Sequence, residues 1–178
     1  MTSLSVFLEK NKLTTTTAKV VLGVLLLALC SQVVIPLKPV PITFQTIGVL
    51  LIGLTYERRN ALLTVATYIL VGTMGLPVFS DFGFGIARLM GPSGGYIMGF
   101  LVAVFAMTTL RQFISDRNFK IDLGLSVLGT AIIMMMGVTW LTTFMDFSKA
   151  ISVGITPFII PGILKALLLS KAVGYIKR

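Results

Sequence analysis

Six apolar runs, each closed off by charge, proline or glycine, limit what this chain can fold into: residues 17–35, 44–56, 61–78, 95–110, 123–145 and 157–176. About 20 apolar residues in a helix cross the ~30 Å hydrocarbon core of a bilayer, so the pattern predicts an all-α integral membrane protein with six transmembrane helices. Charge excludes a soluble fold. With 56% of residues hydrophobic and 12% charged, there are too few polar groups to cover a water-exposed surface. Little chain is left between the runs, so residues 1–178 are expected to form a single membrane domain.

The second run is short. Its 13 residues rise only about 20 Å as a helix, so it must begin in protein-lined space or be extended by the loop before it. That loop, 36–43, carries Pro36, Pro39 and Pro41 and cannot be an ordinary helix. Irregular backbone at membrane depth survives only where protein buries it or where it lines a water-filled cavity, which makes the loop a candidate cavity wall. Orientation follows from Lys and Arg, which favour cytoplasmic loops. With the amino terminus inside, the inner segments hold eleven (Lys10, Lys12, Lys19, Arg58, Arg59, Arg111, Arg117, Lys120, Lys171, Lys177 and Arg178), and the outer loops hold only Lys38, Arg88 and Lys149. Both termini are therefore expected in the cytoplasm. The net charge of +9 reads as topology and not as a nucleic-acid site, because the cations are scattered between apolar runs instead of gathered on one face.

Several kinds of chemistry are excluded by what is missing. One cysteine and no histidine leave no disulfide framework, zinc site or histidine-based triad. Cys30 follows Leu27, Ala28 and Leu29, but Leu29 is too large for a lipoprotein cleavage box, so Cys30 reads as packing; the first run likewise lacks the exit of a removable signal peptide. There is no P-loop and no pair of carboxylates. The chain reads as a binder or conduit, without cofactor or metal, and not as an enzyme.

Two regions stand out as candidate binding elements. The connection 76–94 lies in a stretch from Gly72 to Gly95 with seven glycines and two prolines, interleaved with Phe79, Phe82, Phe84 and Leu89; it is too apolar for a solvated loop and should fold back as a lid. Glycines there serve either tight turns or close approach to a ligand, and Gly95 and Phe79 are the candidates for the second role. Lys165 sits deep in the last run, in 158–170, where every other residue is apolar, Gly or Pro except the flanking Ser170, and no run contains Asp or Glu. An intramembrane cation is a functional-site hypothesis by default; snorkelling to the interface and an internal pair with Asp81 are the structural alternatives. Arg88 in the lid carries a fork that matches a carboxylate, and lipid phosphate or Asp81 are its alternative partners. Thr43, Gln45, Tyr68 and Tyr96 supply polar groups of the kind a mostly apolar pocket uses, although Thr43 and Gln45 also suit a helix start. Trp140 reads as packing or an interfacial anchor.

Four motifs in order, Pro39-Val40-Pro41-Ile42-Thr43-Phe44-Gln45-Thr46, Gly75-Leu76-Pro77-Val78-Phe79, Gly91-Pro92-Ser93-Gly94-Gly95-Tyr96-Ile97-Met98-Gly99-Phe100, and Pro157-Phe158 followed by Lys165, resemble the BioY family, the biotin-binding S components of energy-coupling-factor transporters. The resemblance runs from about residue 18 to 175. It implies a ligand cavity near the outer face capped by loops 36–43 and 76–94, biotin as ligand, a location in a bacterial cytoplasmic membrane, and uptake powered by a separate T subunit and two ABC-type ATPases. By motif it implies a ligand role for Lys165, and by position one for Thr43, Gln45 and Tyr96; Arg88 is the substitute for an Arg that some members place at position 97. This chain departs from the family pattern at Gly162, where members often have Asp, at Ile97, and at Gly83, where some have Asn. The first run also lacks small-xxx-small spacing for docking on a T subunit: Ala18 is followed by Leu22 and Gly23 by Leu27. Transport without an ATPase module, transport of another small anionic vitamin or precursor, and a non-transporting role in a membrane complex are the other readings.

Overall fold

The structure is a computed structural model that describes the backbone of residues 3–114 and 118–176 and the side chains of 13–114 and 118–174. The side chains of Lys10, Lys12, Arg117, Lys177 and Arg178, used above for orientation, lie outside the described residues. Six helices carry the apolar runs: α1 (Ser3–Gln32), α2 (Gln45–Thr55), α3 (Arg58–Thr73), α5 (Gly94–Arg111), α6 (Phe119–Leu141) and α8 (Thr156–Ile176); α4 (Ile86–Met90) and α7 (Phe147–Gly154) are short connectors. Successive long helices alternate in direction. Tyr56 at the end of α2 donates to Lys19 O in α1, and Ser31 at the end of α1 donates to Val78 O just past α3. One end of the bundle thus collects Lys19, Arg58, Arg59, Arg111, Lys120 and Lys171, and the other collects the irregular connections.

Among the described residues, four segments are long and apolar enough to cross a membrane: Leu13–Gln32, Gly94–Arg111, Phe119–Leu141 and Phe147–Gly174. α2 is shorter, as the 13-residue run requires. Large apolar side chains point outward along the helices, among them Leu22, Leu25 and Leu29 on α1 and Ile160, Ile163, Leu164 and Leu168 on α8. Helices apolar on both sides belong in a bilayer.

Local chemistry explains where helices begin and end. The α3 helix stops at Thr73 although the apolar run continues to Val78, because Gly75 takes φ = +112° and Pro77 follows. The proline loop 36–41 is the turn of a minimal antiparallel hairpin, Val34–Ile35 against Ile42–Thr43. The lid contains a 3₁₀ turn, Ser80–Phe82, and α4. It is closed by backbone bonds from Phe79 N to Gly83 O and from Gly85 N to Gly72 O. Neither α4 nor α7 follows from the apolar runs, since both are too short to carry a periodic signal.

The most extensive helix pair is α5 with α6, and glycines make it possible. A Cβ on Gly95 would lie 2.2 Å from Trp140 Cβ and 2.6 Å from Met136 O, and one on Gly99 would lie 3.1 Å from Ile133 Cα. Small residues let membrane helices approach this closely, where dispersion replaces the hydrophobic drive. Gly95→Leu is expected to lower the melting temperature of the detergent-purified protein, since overpacking of this kind costs about 1–3 kcal/mol. By contrast Gly124→Ala, at a helical site with no atom within 4 Å of the new Cβ, should raise it slightly, by about 0.5–1 kcal/mol in stability.

Candidate functional site

A cavity forms where the irregular connections meet α2, α5, α6 and α8. The hairpin contributes Val40, Pro41 and Thr43, α2 contributes Gln45 and Thr46, and the lid contributes Phe79, Ser80, Arg88 and Ser93. Tyr96, Ile97 and Phe100 of α5, Thr130, Ile133 and Met134 of α6, and Phe158 and Lys165 of α8 complete the wall. Six of the eight candidate binding residues singled out in the sequence are therefore brought together here, Lys165, Arg88, Thr43, Gln45, Tyr96 and Phe79, while Tyr68 and Gly95 are outside the lining.

Lys165 lies on the inward face of α8 with Ala166, Leu169, Ser170 and Val173, a spacing of three and four residues. It is 8% exposed, its Nζ donates to Thr43 O at 2.6 Å, and the same ammonium sits 5.8 Å from the centre of the Phe44 ring. Snorkelling is ruled out by this inward direction. Asp81 is not its partner either; no carboxylate among the described residues comes within ion-pair distance of Lys165. A carbonyl and an aromatic face are neutral, so the positive charge in the cavity wall stays uncompensated.

Arg88 is half-buried, and its Nη2 donates to Ser80 O at 3.2 Å. Its guanidinium fits because position 83 has no side chain: a Cβ on Gly83 would lie 2.3 Å from Arg88 Nε. Two cations thus line one cavity, together with Gln45, Tyr96 and apolar side chains.

Gln45 is 5% exposed and its Nε2 donates to the Tyr68 hydroxyl at 2.7 Å. It does not act as a helix cap, because the cap position is Phe44 and carries no side-chain cap bond. Tyr96 supplies a ring, not a polar group. Its hydroxyl turns away to donate to Gly154 O at 2.8 Å, and its ring stacks on Phe158 with centroids 5.9 Å apart. Phe79 is 1% exposed, packs edge-on against Tyr68 at 5.5 Å, and lies over Gly72, where a Cβ would meet its ring at 2.3 Å.

Gly95 is not part of the cavity lining. Its lack of a side chain serves the α5 to α6 contact on Trp140, whose indole donates to Gly91 O at 3.0 Å. Close approach was the right physical reason there, but the partner is a helix. At Gly162 a Cβ would sit 3.2 Å from Thr130 Cγ2 and 3.3 Å from Met134 Cε, so this position backs onto the cavity wall. Besides Thr46, Ser80 and Ser93, sequence reasoning missed the polar lining residue Thr130. It lies on the buried face of α6 four residues from Ser126 and eight from Asp122, and that four-residue spacing of polar groups in an apolar helix was the available signal. Its hydroxyl donates to Ser126 O at 2.8 Å, which leaves the oxygen able to accept.

A family model described as the BioY family matches residues 2–178. The chain belongs to the BioY family. It is 35% identical over 171 residues to the "Probable biotin transporter BioY" of Rickettsia prowazekii, covering 96% of this chain and 88% of that protein. It is 37% identical over 147 residues to the "Probable biotin transporter BioY" of Pyrococcus horikoshii, covering 83% and 86%, and 42% identical over 126 residues to the "Biotin transporter BioY" of Thermotoga maritima, covering 70% and 73%. The fold is that of the crystal structure of the S-component for biotin from an ECF-type ABC transporter, with a TM-score of 0.83, 22% identity, and coverage of 99% of this chain and 94% of that one. Membership in a transporter family, together with several membrane-length apolar helices, makes this a multi-pass membrane protein.

Because the Tyr96 hydroxyl points out of the cavity onto Gly154 O, Tyr96→Phe should act on the α7 connection. Leaving that buried carbonyl without its donor costs about 1–3 kcal/mol, read as a lower melting temperature and as faster hydrogen exchange of the amides of residues 150–154.

Proposed function

We propose that this chain binds biotin in the cavity and serves as the substrate-binding subunit of a biotin uptake transporter in a bacterial cytoplasmic membrane. One observation carries the reading: the cavity wall contains Lys165, whose charge meets, among the described residues, only the Thr43 carbonyl and the Phe44 ring, and Arg88 shares that wall. Biotin carries a single carboxylate on an otherwise neutral, largely apolar body. A carboxylate suits two cations and no acids, and the Tyr96, Phe79 and Phe158 rings suit the rest. The names of the relatives support the same ligand. Binding and passage of an unaltered ligand is not enzyme chemistry.

In this reading all six long helices span the bilayer in a single membrane domain. α2 is completed by the hairpin before it. Both termini face the cytoplasm, beside the end that collects Lys19, Arg58, Arg59, Arg111, Lys120 and Lys171. The cavity then opens near the outer face under the caps 36–43 and 76–94. Lys165 and Arg88 bind the carboxylate, Gln45 and the Thr43 segment orient the ligand, and Phe79 closes over it. A T subunit and two ATPases are the expected partners. Gly23 of α1 points inward, where a Cβ would meet Thr64 Cγ2 at 2.5 Å, and is not part of a docking face.

Purified protein is expected to bind labelled biotin saturably with a dissociation constant below about 1 μM; absence of saturable binding in that range rejects biotin as the ligand. Lys165→Ala should weaken binding at least about tenfold, because a desolvated charged hydrogen bond is worth roughly 1.5–3 kcal/mol. Unchanged affinity in a folded variant would remove Lys165 from the site. Uptake measured in cells with and without the T subunit and ATPases tests the partners.

A further inference from the structure

We propose that Tyr68 fixes the direction of the Gln45 amide and so makes the cavity select a ligand that offers an N–H, and not an acceptor, to Gln45. The inference rests on the reading of biotin as ligand and concerns how its cyclic urea is told apart from close analogues. Tyr68 lies on α3, is 0% exposed, and is outside the cavity lining. Its hydroxyl oxygen is 2.7 Å from Val78 O and 2.7 Å from Gln45 Nε2. A carbonyl has no proton to give, so the phenolic proton goes to Val78 O. The phenol oxygen is thereby left as an acceptor, and only the NH₂ end of Gln45 can meet it. Turning the amide round would set its carbonyl oxygen against an oxygen whose proton is already committed.

Tyr68 and the Val78 segment are held in place from several sides. Ser31 Oγ also lies 2.7 Å from Val78 O, Gln32 donates to Phe79 O at 3.1 Å, and the Phe79 ring packs edge-on against Tyr68. The amide oxygen of Gln45 has no hydrogen-bond partner among the described residues, while Gln45 is 5% exposed and lines the cavity. A nearly buried acceptor of fixed direction rewards a ligand N–H and repels a ligand lone pair, and sites built this way reject the analogue that lacks the donor. Tyr68 is thus a positioning residue, acting on the ligand through Gln45.

The test compares biotin with the two cyclic carbamates in which one or the other urea N–H is replaced by a ring oxygen, a change of donor to acceptor at nearly constant size. Wild-type protein should prefer biotin over at least one carbamate by about tenfold or more. In Tyr68→Phe the ring still packs on Phe79 but the amide is free to turn, and the preference should shrink to within about threefold. A second variant carries the test if that one does not fold: Gln45→Leu removes the amide and with it the directed acceptor, so the preference should likewise shrink to within about threefold. Biotin binding with no preference in wild type, or with an undiminished preference in Tyr68→Phe or Gln45→Leu, overturns this inference alone. Absence of biotin binding to wild type overturns the ligand reading and this inference together.

Discussion

Irregular backbone inside a membrane protein must find its hydrogen bonds within the protein, and this structure meets that demand with side-chain donors from the helices around the cavity. Ser31 and Tyr68 donate to Val78 O, Gln32 to Phe79 O, Arg88 to Ser80 O, Trp140 to Gly91 O, Tyr96 to Gly154 O and Lys165 to Thr43 O. Each of these carbonyls belongs to a connection or to its junction with a helix. The bonds fix the hairpin, the lid and α7 against the bundle, and the cavity is the space between the pieces so held.

The same arrangement sets the cavity's chemistry. Donors spent on loop carbonyls are unavailable to a ligand, as with the hydroxyls of Tyr68 and Tyr96, whose rings pack against Phe79 and Phe158. Lys165 differs because it is charged while its carbonyl partner is neutral. One hydrogen bond to Thr43 O leaves two ammonium protons and a full charge, which is costly in an apolar bundle unless an anion approaches. Arg88 is placed by an absence, the missing side chain of Gly83, which makes the room for its guanidinium. The site is therefore cationic and ring-lined, a combination that fits a monocarboxylate with an apolar body.

Much of this was legible in the residues. Three prolines in 36–41 required irregular backbone beside the short second run, and the hairpin found there lines the cavity with Val40, Pro41 and Thr43. Lys165 stood out because nothing near it in sequence was polar, and the Gly-rich stretch between α3 and α5 did fold back over the helices. Directions were not legible. Tyr96 and Gln45 were equivalent as polar residues near motifs, yet one points its hydroxyl out of the cavity and the other lines it with an amide. Gly95 looked like a ligand-facing glycine and turned out to be a helix contact, since a missing Cβ signals close approach without naming what approaches. Thr130 escaped notice because a back-bonded hydroxyl in an apolar helix resembles packing.

The sequence by itself determined the class of the protein: six apolar runs with too little charge for a soluble surface, one cation set deep within a run, and no catalytic or metal-binding set. These follow from composition and order alone, because the bilayer sorts residues by transfer free energy whatever their neighbours. The tertiary structure decided which groups converge. Lys165 and Thr43 are 122 positions apart, and their contact depends on α8 packing beside α2 and on which face of each helix turns inward. Those are properties of interdigitated side chains and close helix contacts, and no local pattern encodes them.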